Sequence, residues 1–305
     1  MIVSLPLAKA LKNKYPTAKL AIIASQSNAP VAVESGLFST VHVKPRNHFM
    51  WIRLLIRLRG QFDVVVDLNH AVAPHAIFAT LIIGPKHVAS PFKEGRWGVQ
   101  GTDLQMFDIM PANGDLNRPM MEIYLDIARQ LDCQTKCCTP YPLGSPKTTK
   151  QLRRPLLLLN HEGSGSRKRI SNHDLVRIAA LASKLKPQLQ IIMTPMPESH
   201  DEISALLEDA PNVSVLPPSQ SISEVIAVAK LADLIVTPDT SLVHIACAFS
   251  RPLIAVYASH PVFFKQWQPI NTATTHIVFS KDLKTLNGYS SEELLRHCHE
   301  MIKAM

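Results

Sequence analysis

The feature that most constrains this fold is an alternation of short, almost wholly apolar runs with longer segments of mixed character. Runs of four to six residues have the length of a strand, and apolar residues at every position are typical of parallel strands buried on both faces. Examples are LLLLN at 156–160, LQIIM at 189–193 and LIAVY at 253–257. Because parallel strands need crossover helices, the alternation predicts an α/β fold with a largely parallel sheet.

The alternation falls into two blocks with linker-like sequence between them. The first block predicts strands at 18–24, 40–43, 62–68 and 86–90 and helices at 5–15, 30–35, 43–61, 73–82 and 118–131. The second block predicts strands at 156–160, 189–193, 213–216, 234–236 and 253–257 and helices at 171–186, 198–207, 221–231 and 241–249. The intervening segment CCTPYPLGSPKTTKQLRRP, 137–155, is rich in proline and polar residues, a composition typical of linkers.

Two such blocks predict two doubly wound, Rossmann-like domains that face each other across a cleft. We expect an N-terminal domain at 1–147, a C-terminal domain at 148–288 and a last helix within 289–305 that packs across both. The first block opens with a helix, although the first strand of a doubly wound sheet normally lies near its middle. We therefore expect the first strand of the N-terminal domain to be missing, with strand edges left unpaired.

Several classes of protein are excluded by sequence features. No apolar run reaches the roughly 18–20 residues of a membrane span. The N-terminal MIVSLPLAKALKNKYP has neither a leading basic region nor a small-residue cleavage site, so we expect a cytoplasmic protein without a signal peptide. The cysteines at 133–138, CQTKCC, have no second cysteine or histidine pair nearby, so we expect reduced thiols and no metal site.

Basic charge points to phosphate-bearing partners. The net charge is +8 and the pI is about 9.3, yet no aromatic-rich basic motif or Lys/Arg block indicates nucleic acid. The densest basic stretch, VKPRNHFMWIRLLIRLRGQ at 43–61, predicts an amphipathic helix. Two interpretations stay open: a surface helix packed on the core, or a helix on an anionic membrane surface through Trp51, Arg53 and Arg57.

Polar and charged residues follow the predicted strands of the second block, where ligands of doubly wound sheets bind. NHEGSGSRKRIS, 160–171, offers glycines for close backbone approach and basic residues for a phosphate, or it is a solvated basic turn. In TPMPESHDE, 194–202, Glu198 either favours a helix terminus by its charge or accepts hydrogen bonds from ribose hydroxyls. In PPSQSIS, 217–223, either Ser221 or Ser223 is expected to cap the next helix.

The fourth strand end, VTPDTSLVHIACAF at 236–249, carries more polar residues than helix capping requires. Asp239 or Thr240 can cap the helix that begins at Ser241, and the helix N-terminus offers free N–H groups to a diphosphate. His244, one turn into that helix, is either an imidazolium that pairs with phosphate or a core histidine.

These stretches together resemble the family 9 glycosyltransferases, whose best-known members are the ADP-heptose:lipopolysaccharide heptosyltransferases. The resemblance rests on NHEGSGSRKRIS, on TPMPES, and above all on VTPDTSLVHIACAFSRPLIAVYAS followed by FFKQWQP, and AKLAIIAS and FDVVVDLNH also fit. It implies the GT-B architecture and an inverting, metal-independent transfer of a sugar, such as heptose, to a lipid-linked saccharide of the lipopolysaccharide core. The donor is then an ADP-sugar, no cofactor is needed, and the enzyme is peripheral at the cytoplasmic side of the inner membrane.

The resemblance also assigns roles to individual residues. Ser164 and Lys168 match contacts to the donor phosphates, and Glu198 matches the ribose contact. The signature positions beside the donor diphosphate are Asp239, Thr240, Ser241 and His244. Ser241 replaces the usual glycine, so its side chain is expected to crowd the diphosphate or to change which sugar fits.

The resemblance places the catalytic base just before the first residue of this chain. Family members open with a strand that ends in Gly-Asp, and Met1 falls just after that aspartate. We therefore expect an upstream start or a protein that binds donor but transfers poorly, because general bases contribute roughly 10²–10⁴-fold. Asp67 is not expected to replace the base. A nucleotide-sugar epimerase on the same fold is the remaining alternative, although it needs carboxylates from both domains.

Overall fold

The computed structural model of the chain describes residues 1–135, 141–144, 152–163, 168–217 and 222–305. It divides into two compact units, Val3–Cys138 and Thr139–Met305. The predicted domain boundary at 147/148 lies outside the described residues. No helix of the described part combines the length and the apolar character that crossing a membrane requires.

The first unit alternates helices and strands in the predicted order. Its elements are α1 (Leu5–Lys14), β1 (Ala21–Ala24), α2 (Ala29–Ser35), β2 (Thr40–Val43), α3 (His48–Arg57), β3 (Val64–Val66), α4 (Pro74–Ile83), β4 (His87–Ala89) and α5 (Met120–Gln130). The four strands form two separate parallel pairs, β1 with β2 and β3 with β4. No strand of this unit is longer than its predicted run, because each ends where its pairing with the neighbouring strand ends.

Helix α3 shows how the basic stretch of the sequence is used. Asn47 caps the helix by accepting a 3.1 Å hydrogen bond from the Met50 N–H. Leu54, Leu55 and Leu58 are buried against α4 and its neighbours. The opposite face of the helix leaves large apolar side chains and two arginines, Arg53 and Arg57, in solvent.

The second unit holds one continuous parallel sheet. Its elements are β5 (Leu156–Leu159), α6 (Asn172–Leu185), β6 (Gln190–Met193), α7 (His200–Leu206), β7 (Val213–Val215), α8 (Ile222–Leu231), β8 (Leu234–Pro238), α9 (Ser241–Ala248), β9 (Leu253–Tyr257), α10 (Pro261–Trp267), β10 (Thr275–Phe279) and α11 (Ser291–Ala304). The strand order is β10-β9-β8-β5-β6-β7. The predicted α/β class is confirmed, and this strand order is that of a doubly wound sheet.

Burial along the sheet follows from the residue pattern. Strands β5, β8 and β9 are buried at every position, as expected of unbroken apolar runs covered by helices on both faces. The sequence did not predict α10 or β10. The latter is an edge strand whose first residues, Thr275 and His276, are polar and half-buried, so its pattern is not that of a central strand.

The C-terminal helix α11 packs on α6 inside the second unit. Asp174, fully buried in the first turn of α6, accepts hydrogen bonds from Tyr289 (2.5 Å), Ser291 (2.7 Å) and Ser171 (2.9 Å). Although burial would raise the pKa of Asp174, these hydroxyl donors hold it below its ordinary value. The start of α6 is thereby joined to the start of α11.

Candidate active site

The candidate site lies at the carboxyl ends of β8, β5 and β6, which are neighbours in the sheet. Asn160, directly after β5, donates from Nδ2 to Thr237 Oγ1 at 3.0 Å. It also accepts a 3.3 Å hydrogen bond from Thr194 Oγ1, which follows β6. The side chain of Asn160 thus links three strand ends and fixes the floor of the site.

The N-terminus of α9 opens at this floor. Thr240 is the capping residue: its Oγ1 accepts a 3.2 Å hydrogen bond from the Leu242 N–H, and the Thr237 hydroxyl lies 3.0 Å away. Ser241, the first helical residue, is exposed. Because one residue suffices for capping, Asp239 and Ser241 are left for other roles, and the positive end of the helix favours an anionic ligand.

Lys168 and Asp239 form the central charged pair. Lys168 Nζ donates to Asp239 Oδ2 at 2.5 Å and lies 5.1 Å from the centre of the Phe263 ring. Asp239 is 9% exposed, and burial raises its pKa although Lys168 opposes this shift. The lysine side chain is 31% exposed, so its ammonium group is accessible to an anion from solvent.

The loop that carries Lys168 begins and ends in an antiparallel bridge between Glu162 and Arg169. The Gly163 N–H donates to the Lys168 carbonyl at 2.8 Å. A Cβ atom added to Gly163 would lie 3.0 Å from Cγ2 of Thr240, so the glycine allows the loop to approach the cap of α9. Residues 164–167, which include the predicted phosphate contact Ser164, lie outside the described residues.

Glu162 is a site residue that sequence reasoning missed. Its buried carboxylate accepts hydrogen bonds from Arg169 Nη2 at 2.6 Å, from the Met196 N–H at 3.3 Å and from the Ser199 hydroxyl. Burial would raise the pKa of Glu162, but the hydrogen bonds from Ser199 and Arg169 hold it below its ordinary value. The only signal in the sequence was one acidic residue inside a basic loop.

Glu198 lies in the short 3-10 turn Pro197–Ser199 that follows β6. The side chain is exposed and, within the described part of the chain, forms neither a hydrogen bond nor an ion pair. Its neighbour Ser199 is held by Glu162, so the turn that presents Glu198 is anchored to the loop that presents Lys168. A carboxylate in this position is available to accept hydrogen bonds from hydroxyl groups.

His244 lies inside the unit rather than at its charged surface. Its ring is 7% exposed, with Tyr141 6.2 Å and Trp267 6.1 Å from it between ring centres. Burial lowers the pKa of His244 to about 4, so the imidazole is neutral at pH 7. Of the two interpretations of His244, the buried position favours a core histidine, and a neutral ring there can bind phosphate through an N–H donor.

Helix α10, which the sequence did not predict, contributes an aromatic wall. His260 caps the helix by accepting a 3.2 Å hydrogen bond from the Phe263 N–H. Phe263 faces the Lys168 ammonium, and Trp267 faces His244. The Trp267 carbonyl accepts a 3.0 Å hydrogen bond from Tyr257, which fixes α10 to the sheet.

In the first unit, the carboxylate considered as a substitute base is already engaged. Asp67 Oδ2 lies 2.6 Å from Lys93 Nζ, and its Oδ1 accepts a 3.0 Å hydrogen bond from the Asn69 N–H. Both side chains of this ion pair are buried. Because burial with such partners favours a fixed structural pair, Asp67 is poorly placed to accept a proton from a substrate. Asp63 is exposed and pairs with Lys86 at 2.7 Å.

Two residues of the cysteine cluster, Cys137 and Cys138, lie outside the described residues. The described cysteines, Cys133, Cys247 and Cys298, are free and buried. Burial raises the pKa of Cys247 and of Cys298 to about 12, so both are neutral thiols at pH 7. They pack as small apolar groups and are not suited to nucleophilic chemistry.

The proposed membrane-facing residues lie on two different faces of α3. Arg53 and Arg57 are exposed, whereas Trp51 is half-buried, packs with the core of the first unit and has Lys44 Nζ 5.2 Å from its ring centre. The most exposed apolar residues of α3 are Phe49, at 72%, and Ile56, at 59%, and Met50 and Ile52 are exposed as well. An apolar contact of the exposed face with a surface therefore involves these residues more than the half-buried Trp51.

Comparison with known proteins gives a consistent result. The family model for glycosyltransferase family 9 (heptosyltransferase) matches residues 51–294. Lipopolysaccharide heptosyltransferase 3 of Escherichia coli is 24% identical in an alignment of 299 residues that covers 88% of this chain and 83% of the relative. A family 9 glycosyl transferase from Veillonella parvula superposes with a TM-score of 0.77 at 13% identity, over 100% of this chain and 94% of the other. The E. coli heptosyltransferase WaaC with ADP gives a TM-score of 0.73 at 16% identity, over 98% and 95% of the two chains.

Proposed function

The chain belongs to glycosyltransferase family 9, and on that premise we propose that it transfers a heptose from an ADP-sugar to a saccharide of the lipopolysaccharide core. The family model covers most of the chain, so the chain is a glycosyltransferase. The choice of heptose and lipopolysaccharide is supported by the name of the E. coli relative. The choice of ADP is supported by the E. coli heptosyltransferase described with that nucleotide.

One observation carries the proposal for the donor. Lys168 and the N-terminus of α9 lie together at the carboxyl edge of the sheet, joined through Asp239, which pairs with Lys168 and directly precedes the capping Thr240. A flexible cation and the positive N-terminus of a helix are devices by which proteins bind diphosphates. We assign the donor diphosphate to this place, with Ser241 beside it, and Ser164 stays a phosphate contact proposed from the sequence.

The nucleoside is assigned to the neighbouring turn. The exposed carboxylate of Glu198 accepts hydrogen bonds from the ribose hydroxyls in this proposal, as acidic residues do at other nucleotide sites. Because Glu162 anchors both this turn and the Lys168 loop, the ribose and phosphate contacts keep a fixed spacing. A fixed spacing favours one donor length over others.

The chemistry follows from where charge develops. Breaking the bond between the sugar and the diphosphate increases the negative charge on the phosphate oxygens, and groups that stabilise this charge accelerate departure. In the proposed mechanism Lys168 and the positive N-terminus of α9 supply this stabilisation, with no metal required. Attack by the acceptor hydroxyl from the opposite side of the sugar forms the new glycosidic bond with inverted configuration, while ADP departs and the hydroxyl proton is released to water.

The acceptor is proposed to be lipid-linked and to be reached at the cytoplasmic face of the inner membrane. Helix α3 supports this part, because Arg53 and Arg57 are exposed on the same side as Phe49 and Ile56. Basic residues beside apolar ones are typical of helices that lie on anionic lipid surfaces. We therefore propose peripheral binding of α3 to the membrane.

The test is transfer itself. The protein is incubated with ADP-, UDP- and GDP-sugars, including ADP-heptose, and with deacylated lipopolysaccharide acceptor, and products are followed by mass spectrometry and NMR. An acceptor extended by one heptose of inverted configuration, formed only from the ADP-sugar, supports the proposal. Binding of ADP-sugars without transfer supports the alternative of a donor-binding homologue, and a changed donor sugar without transfer supports an epimerase.

A further inference from the structure

Two imidazoles and a carboxylate meet at the opposite edge of the same sheet. His276 is the second residue of β10, and His297 and Glu300 lie one turn apart on α11. One ligand atom from each of the three residues lies within 4.8 Å of the others. Because all strands of this sheet are parallel and His276 stands at the amino end of its strand, the cluster is separated from the candidate active site at the carboxyl ends.

One ring nitrogen of the buried histidine in this cluster has no hydrogen bond. His297 is 7% exposed, and its Nδ1 has no hydrogen bond within the described residues. Glu300 Oε2 lies 3.6 Å from that nitrogen, while Glu300 Oε1 accepts a 3.0 Å hydrogen bond from Arg296. One carboxylate oxygen is therefore held and the other is directed toward the unpaired nitrogen.

We propose that His276, His297 and Glu300 bind a zinc ion, with water as the fourth ligand. Imidazole nitrogen with a single carboxylate is a donor set that suits zinc and disfavours magnesium and calcium, which take oxygen ligands. Glu293 Oε1 lies 3.8 Å from Nε2 of His297, where it can accept the proton of the metal-bound ring and orient it.

Binding requires a small rearrangement. The two imidazole rings are stacked, with centres 4.2 Å apart and an angle of 22° between their planes. Zinc–nitrogen distances of about 2.0–2.1 Å place neighbouring ligand atoms about 3.4 Å apart, so the half-buried His276 and the exposed Glu300 must rotate toward His297. Arg296 Nη2 now lies 3.2 Å from His297 Nε2, and it must move away so that Nε2 can donate its proton to Glu293 instead.

The consequence is structural rather than catalytic. The ion would join β10, the edge strand, to α11, which packs on α6. A ligand that binds only the folded state stabilises it by mass action. Zinc is therefore expected to stabilise the second unit and to leave the affinity for ADP unchanged.

The test uses metal-free full-length protein titrated with Zn²⁺ by calorimetry and with Co²⁺ by absorption spectroscopy. The variants His276→Gln and Glu300→Gln replace accessible ligands, so they are expected to fold, and His299→Gln replaces an exposed histidine of the same helix outside the cluster. We expect tetrahedral Co²⁺ bands, at least a tenfold loss of Zn²⁺ affinity in the first two variants, and no change in His299→Gln. Saturating Zn²⁺ should raise the Tm of the parent by about 3 °C or more, but not that of His276→Gln.

Three outcomes would overturn the proposal. The first is equal Zn²⁺ affinity of the parent and His276→Gln. The second is a Co²⁺ spectrum with strong thiolate charge-transfer bands, since it would assign the metal to cysteines. The third is a loss of ADP affinity on adding Zn²⁺, because it would place the ion at the candidate active site.

Discussion

Lys168 donates a 2.5 Å hydrogen bond to Asp239, so the cation proposed for the donor diphosphate has an acidic partner within the site. A diphosphate that binds Lys168 must therefore replace or share the interaction with this carboxylate. The measured affinity is the difference between two ion pairs, and substitutions on the two sides of the pair are expected to act in opposite directions.

Replacing Lys168 by alanine should weaken ADP binding at least about tenfold, because charge-assisted hydrogen bonds contribute about 1.5–3 kcal/mol. Calorimetric titration measures the loss, and Lys184→Ala, which removes an exposed lysine of α6, is the matched control. Repeating the comparison in an Asp239→Asn background separates the phosphate contact from the effect of leaving a buried carboxylate unpaired. Unchanged ADP affinity in both backgrounds would return Lys168 to the interpretation of a solvated basic turn.

Replacing Asp239 by asparagine should remove a pH dependence of stability. Burial raises the pKa of Asp239, so the folded protein holds this proton more tightly than the unfolded chain does. Its contribution favours folding at low pH and is lost as pH rises from the ordinary aspartate pKa to the raised one. Urea unfolding at several pH values should therefore show Asp239→Asn gaining stability relative to the parent as pH rises through this window.

Asp174 provides the control of opposite sign. Its pKa is lowered in the folded protein, so its contribution is present above the ordinary aspartate pKa and is lost as pH falls through the lowered value. Asp174→Asn should cost about 2 kcal/mol at pH 7, because a carboxylate with three hydroxyl donors is replaced by a neutral amide. The same direction of change in both variants would contradict the assignment of the two environments.

Replacing Glu162 by glutamine should weaken ADP binding about fivefold and lower the free energy of unfolding by about 1.5–3 kcal/mol. The amide NH₂ group must face either Arg169 or Ser199, each of which donates to the carboxylate. Thermal unfolding and ADP titration measure the two effects, and Glu202→Gln, an exposed acidic residue that accepts one hydrogen bond from Asn172, is the control. A loss of stability without a loss of ADP affinity would limit Glu162 to a structural role.

Replacing Glu198 by alanine should weaken the binding of adenosine and of ADP by the same factor, about tenfold, since the proposed contact is to ribose and not to phosphate. The exposed Glu208, in the turn that follows α7, supplies the control variant Glu208→Ala. Competition binding with adenosine, AMP and ADP distinguishes the contacts. If the variant loses ADP affinity but keeps adenosine affinity, the ribose contact is contradicted and Glu198 acts near the phosphates.

Reversing two charges on α3, with Arg53→Glu and Arg57→Glu, should abolish salt-sensitive flotation with anionic vesicles. Each basic residue near such a surface contributes about 1 kcal/mol. The variant Lys281→Glu with Lys284→Glu makes the same change in net charge on exposed residues of the second unit. If both double variants float like the parent, α3 is an ordinary surface helix.

Most elements of the fold could be predicted because buried parallel strands have unbroken apolar sequences, such as LLLL at 156–159. Strand β10 was not predicted, because an edge strand keeps polar residues. Helix α10 was not predicted either, because PVFFKQW is long enough for only two turns. In the site, Lys168 and Asp239 were each predicted to lie near a phosphate, but not to pair, since they stand 71 positions apart. Glu162 and the neutral state of His244 depend on burial, which a single sequence does not report.

The approach of Gly163 to Thr240 couples two positions that lie far apart in the chain. An alanine at 163 would crowd Cγ2 of Thr240, whereas a serine at 240 would keep the capping hydroxyl and lack that methyl group. Across related sequences, a side chain larger than hydrogen at 163 is therefore expected mainly where 240 is serine. Covariation of positions 163 and 240 would identify related enzymes in which the loop that carries Lys168 packs against the cap of α9.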